Sequence, residues 1–284
     1  MSLTDKALLV QLNASQWSAR KLDQRRTEEI AATHGVASRV GRYNKDLLPS
    51  TDMLSKVIAK TAFIRNYVAT NTLPWGMDGT RILPAKHYHE FQTGLSPHVQ
   101  DWEQLVDAFV AEYPRLVGEA QAHLRDLFDA NEYPDASDIR GKFRIGVTYL
   151  PLPSTDFRVS LGEHEIEEIR RSVEERLNEA GVAAQRNIWD RLLERVDTIK
   201  TKMADPSAIF HSSLIEGTRE LCDLVGKLNY MNDPQIEEMR NRVYSELGSL
   251  TPDVLRTDPV QRQDAAASAA KLADRMRAYI GAGT

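Results

Sequence analysis

The segment KHYHEF places His87 and His89 two residues apart. On a strand that spacing puts both imidazoles on one face, where a pair can chelate zinc or iron, while Glu90 points the other way. A third ligand would have to come from His98 or His123, and nothing in their spacing requires it. Cys222, within RELCDLVGKL, falls on a helical apolar face with no histidine near it in sequence, the pattern of an inert core thiol. The carboxylates of EHEIEEIRRSVEE read as a solvated helix face paired at i and i+4, not as an acid/base couple. Neither GxxxxGK[ST] nor GxSxG is present, so neither a phosphate-cradling loop nor a serine nucleophile is indicated. The expectation is a protein that is not an enzyme and takes no cofactor and no metal.

Binding chemistry is better represented. The formal net charge is −5, yet residues 1–65 hold 11 Lys and Arg against 6 Asp and Glu, and the remainder holds 25 against 35. That asymmetry points to an anion meeting the N-terminal region. In QWSARKLDQRRTEEI, Trp17 stands beside Arg20, Lys21, Arg25 and Arg26. Arg39, Arg42, Tyr43 and Lys45 repeat the mixture in the polar connector that follows. Wound as a helix, residues 52–69 gather Leu54, Val57, Ile58, Ile64 and Val68 on one side and Lys56, Lys60, Phe63 and Tyr67 on the other. Lysines attract phosphate, and aromatic faces accept unpaired bases at about 1–3 kcal/mol per base. The competing reading packs Phe63 and Tyr67 under another helix with the lysine stems covering them, and buries Trp17 in the core. In IRGKFRIG, Arg140, Lys142 and Arg144 at i, i+2 and i+4 would share one strand face, which serves equally as an ordinary solvent-facing surface.

The elements that must carry these residues follow from pattern. ALLVQLNASQW suits a strand, and a short helix from about Lys21 to His34 stops at Gly35. Ser50 or Thr51 can cap the helix DMLSKVIAKTAFIRNYVATN. A Pro- and Gly-rich turn with a short extended segment occupies TLPWGMDGTRILP. A helical pattern from about Ser96 to Ala130 should be kinked or divided at Pro114. KFRIGVTYLPLP is a strand ended by prolines. From His164 to Met203 a charged helix with a narrow apolar stripe would extend about 60 Å, long enough to suggest a hairpin with the 96–130 helix. Helices near 207–229, 234–248 and 259–280 follow, and the alanine-rich end is expected to fray.

The fold class expected is α+β, mainly α: short strands in the N-terminal half packed with helices, an extended helical hairpin and C-terminal helices. Residues 1–160 are expected to form a mixed α/β nucleic-acid-binding region and 161–284 a helical region for packing, oligomerisation or partner contact. No apolar run approaches the roughly 18 residues of a membrane span, and a single cysteine suits a reducing cytoplasm.

LLVQLNASQWSARKLDQRR, LSKVIAKTAFIRNYV, LPWGMDGTRILP and KFRIGVTYLPLPSTDFRV, taken in order, resemble the single-stranded-DNA-binding RNA polymerase cofactors of Pseudomonas phages, the Drc-like orphan proteins. The resemblance covers roughly residues 7–160. It implies a non-enzymatic protein, of a fold unlike the OB-fold, that coats melted promoters in the host bacterial cytoplasm and recruits the phage-encoded RNA polymerase. The expected partners are thus single-stranded DNA and that polymerase, with the long helices serving oligomerisation or polymerase contact. The alternative function is a helical adaptor that binds another protein and no nucleic acid.

Overall fold

In the computed structural model, residues 5–76, 79–154 and 162–282 are described. Residues 77–78 and 155–159 of the segments quoted above lie outside that set. The architecture is α+β and mainly α, with its strands in the N-terminal half. The chain divides into two compact units, one made of residues up to Gln11, Val68–Gln92 and Thr148 onward, the other of Leu12–Tyr67 and Thr93–Val147. The units interleave along the chain and so do not follow a single cut at residue 160: two strands and two helices each run from one unit into the other.

Strand β1 (Ala7–Ser15) pairs antiparallel with β5 (Thr80–Pro84), which pairs in turn with the two-residue β4 (Leu73–Pro74). With β6 (Arg144–Pro151) they form one sheet in the order β4-β5-β1-β6. Beneath β1, β4 and β5 lies the core of the first unit. Helix α4 (Glu163–Ala204) contributes Ala184, Ile188, Leu192, Val196, Ile199 and Met203, spaced by three or four residues as a single buried stripe requires. Its principal partner is α8 (Pro259–Ala282), where the sequence pattern suggested a hairpin with the 96–130 helix. The alanine-rich segment, expected to fray, is helical as far as Ala282. Ala265, Ala269 and Ala273 are buried, and their small side chains let α8 approach α4 closely. Helices α5 (Ser213–Leu228), α6 (Pro234–Val243) and the short α7 (Pro252–Thr257) complete this core. Cys222 lies fully inside it, and burial pushes its thiol up to about 11, which keeps it unreactive.

In the second unit a two-stranded ribbon, β2 (Arg20–Leu22) with β3 (Asn44–Asp46), brackets helix α1 (Gln24–Thr33). The expected helix start at Lys21 is displaced because Asp23 accepts a hydrogen bond from the Arg26 amide at 3.0 Å and caps the helix there. Gly35, at a φ of 63°, then turns the chain out of α1 as expected. Helix α2 (Met53–Thr70) starts where Thr51 accepts from the Met53 amide at 3.1 Å. Its Val57, Thr61 and Ile64 are buried, as are Trp102, Val106, Phe109, Tyr113 and Leu116 of α3 (Tyr88–Leu124). Trp102 donates its indole N–H to Thr61 Oγ1 at 2.8 Å, which satisfies the polar end of a large buried ring. Helix α3 begins earlier than Ser96 and runs through both Pro97 and Pro114. Pro114 does not divide it: Phe109 and Tyr113 before the proline and Leu116 and Ala120 after it remain buried.

Candidate nucleic-acid interface

All sixteen basic and aromatic residues singled out from the sequence belong to the second unit. Their side chains fall into two groups, those already matched within the protein and those left without a partner.

The stripe on α2 belongs mainly to the first group. Lys60 Nζ lies 2.8 Å from Asp101 Oδ2 and 3.3 Å from His98 Nδ1, and only 19% of its side chain is exposed. The Phe63 ring meets His98 edge-on at 4.6 Å between centroids, and Tyr67 meets the same imidazole at 5.6 Å. Tyr67 also lies so close to Gly94 that a Cβ there would collide with its hydroxyl. Three of the four stripe residues therefore close over α3, with the Lys60 ammonium 5.4 Å above the Phe63 ring. Lys56 is exposed and pairs with Asp52 one turn earlier at 2.9 Å. Phe63 keeps half its surface in solvent, but one side of its ring is taken.

Other members are matched as well. Lys45 is buried, donating to the Leu127 carbonyl at 2.6 Å and lying 2.6 Å from a Glu132 carboxylate oxygen. It is a structural cation, not a surface one, and the expectation that it meets phosphate is corrected. Arg26 bridges Glu29 at 2.6 Å and Asp126 at 2.9 Å, and Arg25 pairs with Glu29 at 3.2 Å. Bonded mainly by Arg26, the Glu29 carboxyl is held below its ordinary range. Trp17 is half-buried with its edge against Tyr113 at 5.8 Å.

Arg140, Lys142 and Arg144 do not line up on a strand. Residues 139–142 form a 3-10 turn, because Phe143 turns inward against Phe109 at 5.6 Å and pulls the chain round before β6 begins. Arg140 is drawn to Asp107 at 3.0 Å. Lys142 and Arg144 remain exposed.

Among the described residues, Arg20, Lys21, Arg39, Arg42, Lys142 and Arg144 take part in no ion pair. The first four lie between residues 20 and 42, on β2 and on the connector after α1, next to Tyr43, which is 37% exposed. Arg39 and Arg42 line one shallow cleft with Leu22 and Gln24. Arg42 and Tyr43 also border an apolar hollow of about 330 Å³ floored by Ile30, Ala31, Val36 and Val40. Lys21 looks into a separate cleft of about 490 Å³ where Asp126, Asp129 and Glu132 are close by. Of the stretches singled out from the sequence, residues 20–43 thus keep, among the described residues, the combination of unpaired cations and an accessible ring.

The charge asymmetry changes meaning once the units are known. Residues 12–67 carry ten Lys and Arg against five Asp and Glu, and residues 93–147 of the same unit carry five against ten. The acidic partners Asp101, Asp107, Asp126 and Glu132 come from this second stretch, and no local sequence signal links them to their cations. The local pairs Asp52–Lys56 and Arg25–Glu29, at i and i+4, and Arg26–Glu29, at i and i+3, are the ones the sequence does signal.

His87 and His89 are not on a strand. His87 is buried in a 3-10 turn, with Nε2 3.2 Å from the Asn71 side-chain oxygen, and His89 falls in the first turn of α3. Burial pushes the His87 imidazole below its ordinary range. Among the described residues no three His, Cys, Asp or Glu side chains gather to hold a metal ion, and no helix is long and apolar enough to cross a membrane.

No protein-family model, curated protein or solved structure matches the chain.

Proposed function

We propose that the chain is a non-enzymatic, sequence-independent single-stranded-DNA-binding protein whose contact surface is the β2–α1–β3 segment. The observation that carries this reading is the set of unmatched cations Arg20, Lys21, Arg39 and Arg42 beside the accessible Tyr43. Guanidinium and ammonium groups with no carboxylate partner lose little on meeting phosphate, and the tyrosine ring offers a face to one unstacked base. Lys142 and Arg144 add phosphate contacts of the same kind. In the setting that the phage resemblance implies, the protein holds melted promoter DNA in the host cytoplasm for a phage-encoded RNA polymerase, or supports replication, and acts as a homo-oligomer.

The test is fluorescence anisotropy of a labelled single strand and its duplex at low and moderate salt. Tighter binding to the single strand is expected, with a log–log salt slope of about −0.7 per phosphate neutralised, or about −3 for four contacts. The Arg39→Glu/Arg42→Glu double variant should bind far more weakly while keeping its fold.

A second reading, a protein-binding adaptor, is favoured by one observation. Ile30, Val36 and Val40 are exposed together beside the same arginines. Absence of binding to either oligonucleotide at low salt would make it the better reading.

A further inference from the structure

A second concentration of positive charge lies in the first unit, on residues that no pattern in the sequence connects. Arg81 of β5 donates from Nη2 to the carbonyl oxygens of Ala69 and Thr72, at 3.0 and 3.1 Å. Arg191 of α4 donates from its own Nη2 to the same two oxygens, at 3.0 and 2.9 Å, and from Nη1 to Thr70 at 2.6 Å. Two guanidinium groups thus share one pair of acceptors, and neither meets a carboxylate among the described residues. Burial, followed by the charge of Arg81, pulls the Arg191 guanidinium down to about 10, and burial lowers Arg81 too.

Capping of α2 explains why these arginines point where they do. It does not balance their charge: a helix C-terminus offers about half a negative charge, against two full positive ones. Placing like charges side by side away from water is costly unless something opposite joins them. Arg195, one turn along α4, faces the same cleft of about 630 Å³ and makes no hydrogen bond or ion pair among the described residues. Its guanidinium rests over Gly217, where a Cβ would approach to 3.3 Å, so the neighbouring helix leaves room for it. Nη1 of Arg81, Nε of Arg191 and all the N–H groups of Arg195 are left as donors. The buried side-chain oxygen of Asn187, also in the lining, has no hydrogen-bond partner. Leu221 and Leu224 supply an apolar wall. Glu194, exposed and also in the lining, forms no ion pair with Arg191 or Arg195 among the described residues.

We propose that this cleft binds a small phosphate ester, with the phosphoryl group held by Arg81, Arg191 and Arg195 and a hydroxyl of the ligand donating to Asn187. Arg195 offers an intact fork to the oxygens of a phosphate, Arg81 and Arg191 add N–H groups left over from the carbonyls, and the ligand supplies the missing negative charge. The site is independent of the β2–α1–β3 surface and of any role in DNA binding.

The experiment is isothermal titration of the full chain with inorganic pyrophosphate and with ribose 5-phosphate, using sulfate as a control ion. Binding of at least one phosphate probe in preference to sulfate is expected. Arg195→Gln, which removes no bond of the folded chain, should weaken it about tenfold or more, the loss expected for a charge-assisted contact. Arg275→Gln, an equal charge change at an exposed position of α8, should leave it unaltered. No binding of either probe, or equal weakening in the two variants, would overturn the proposal.

Discussion

Lys60 and Asp101 lie 2.8 Å apart and tie the outer face of α2 to α3. This pair turns what looks in sequence like a row of free cations and rings into the rim of a helix–helix contact. The Asp101 carboxyl, hydrogen-bonded and charge-paired to Lys60, is held below its ordinary value of 3.8. A carboxyl depressed in the folded state contributes stability at pH above its unfolded value, and that contribution is lost as pH falls through the folded one. In an NMR titration Asp101 should therefore protonate at lower pH than an isolated aspartate. In Lys60→Met its midpoint should return upward. An unshifted midpoint in the parent protein would dismiss the pair.

The same pairing changes what a charge-reversal experiment should report. Lys56→Glu/Lys60→Glu places carboxylates beside Asp52 and Asp101 and should lower the melting temperature. Its effect on single-strand affinity should be smaller than that of Arg39→Glu/Arg42→Glu, which removes cations that have no partner. Circular dichroism melts and anisotropy on both double variants, at one salt concentration, decide the order. The reverse ranking would return the nucleic-acid path to α2.

Lys45 poses the complementary case. Its ammonium is buried against Glu132, with side-chain exposures of 6% and 16%. Removing one member leaves an uncompensated buried charge, a loss of about 3–5 kcal/mol. Lys45→Met should show this in urea denaturation, and Lys45→Met/Glu132→Leu should recover much of it. A Lys45→Met variant as stable as the parent would mean that Glu132 reaches water.

How much of this was legible in sequence depended on whether the deciding partner was near in the chain. The buried stripe Ile188, Leu192, Val196 and Ile199 of α4 is written in its spacing, and so is the inert setting of Cys222. Strand β1 follows from its apolar run, and the stop of α1 follows from Gly35 just past its end, whose φ of 63° a glycine takes without strain. Lys45 and Glu132, by contrast, stand 87 positions apart, and Lys60 and Asp101 stand 41 apart. Nothing local distinguishes a lysine that will meet such a carboxylate from one that will not. The ribbon of β2 and β3 was hidden for a related reason: three-residue strands hold too few residues for alternation to show. Arg81 and Arg191 have no pattern at all until β5 and α4 bring them to the same carbonyls.

The end of α8 tests the packing of the first unit. Ala269 and Ala273 are fully buried, whereas a frayed end would leave both in water. Ala269→Leu inserts three heavy atoms where α8 meets the core. Overpacking of this kind costs about 1–3 kcal/mol, because neighbouring side chains are driven from their rotamers. Urea denaturation should show a lower midpoint with an unchanged slope. Hydrogen exchange should accelerate along α8 and the facing residues of α4, while Trp102 and its bond to Thr61, in the other unit, keep their protection. A silent Ala269→Leu substitution would return the C-terminal segment to the loose end that its composition suggests.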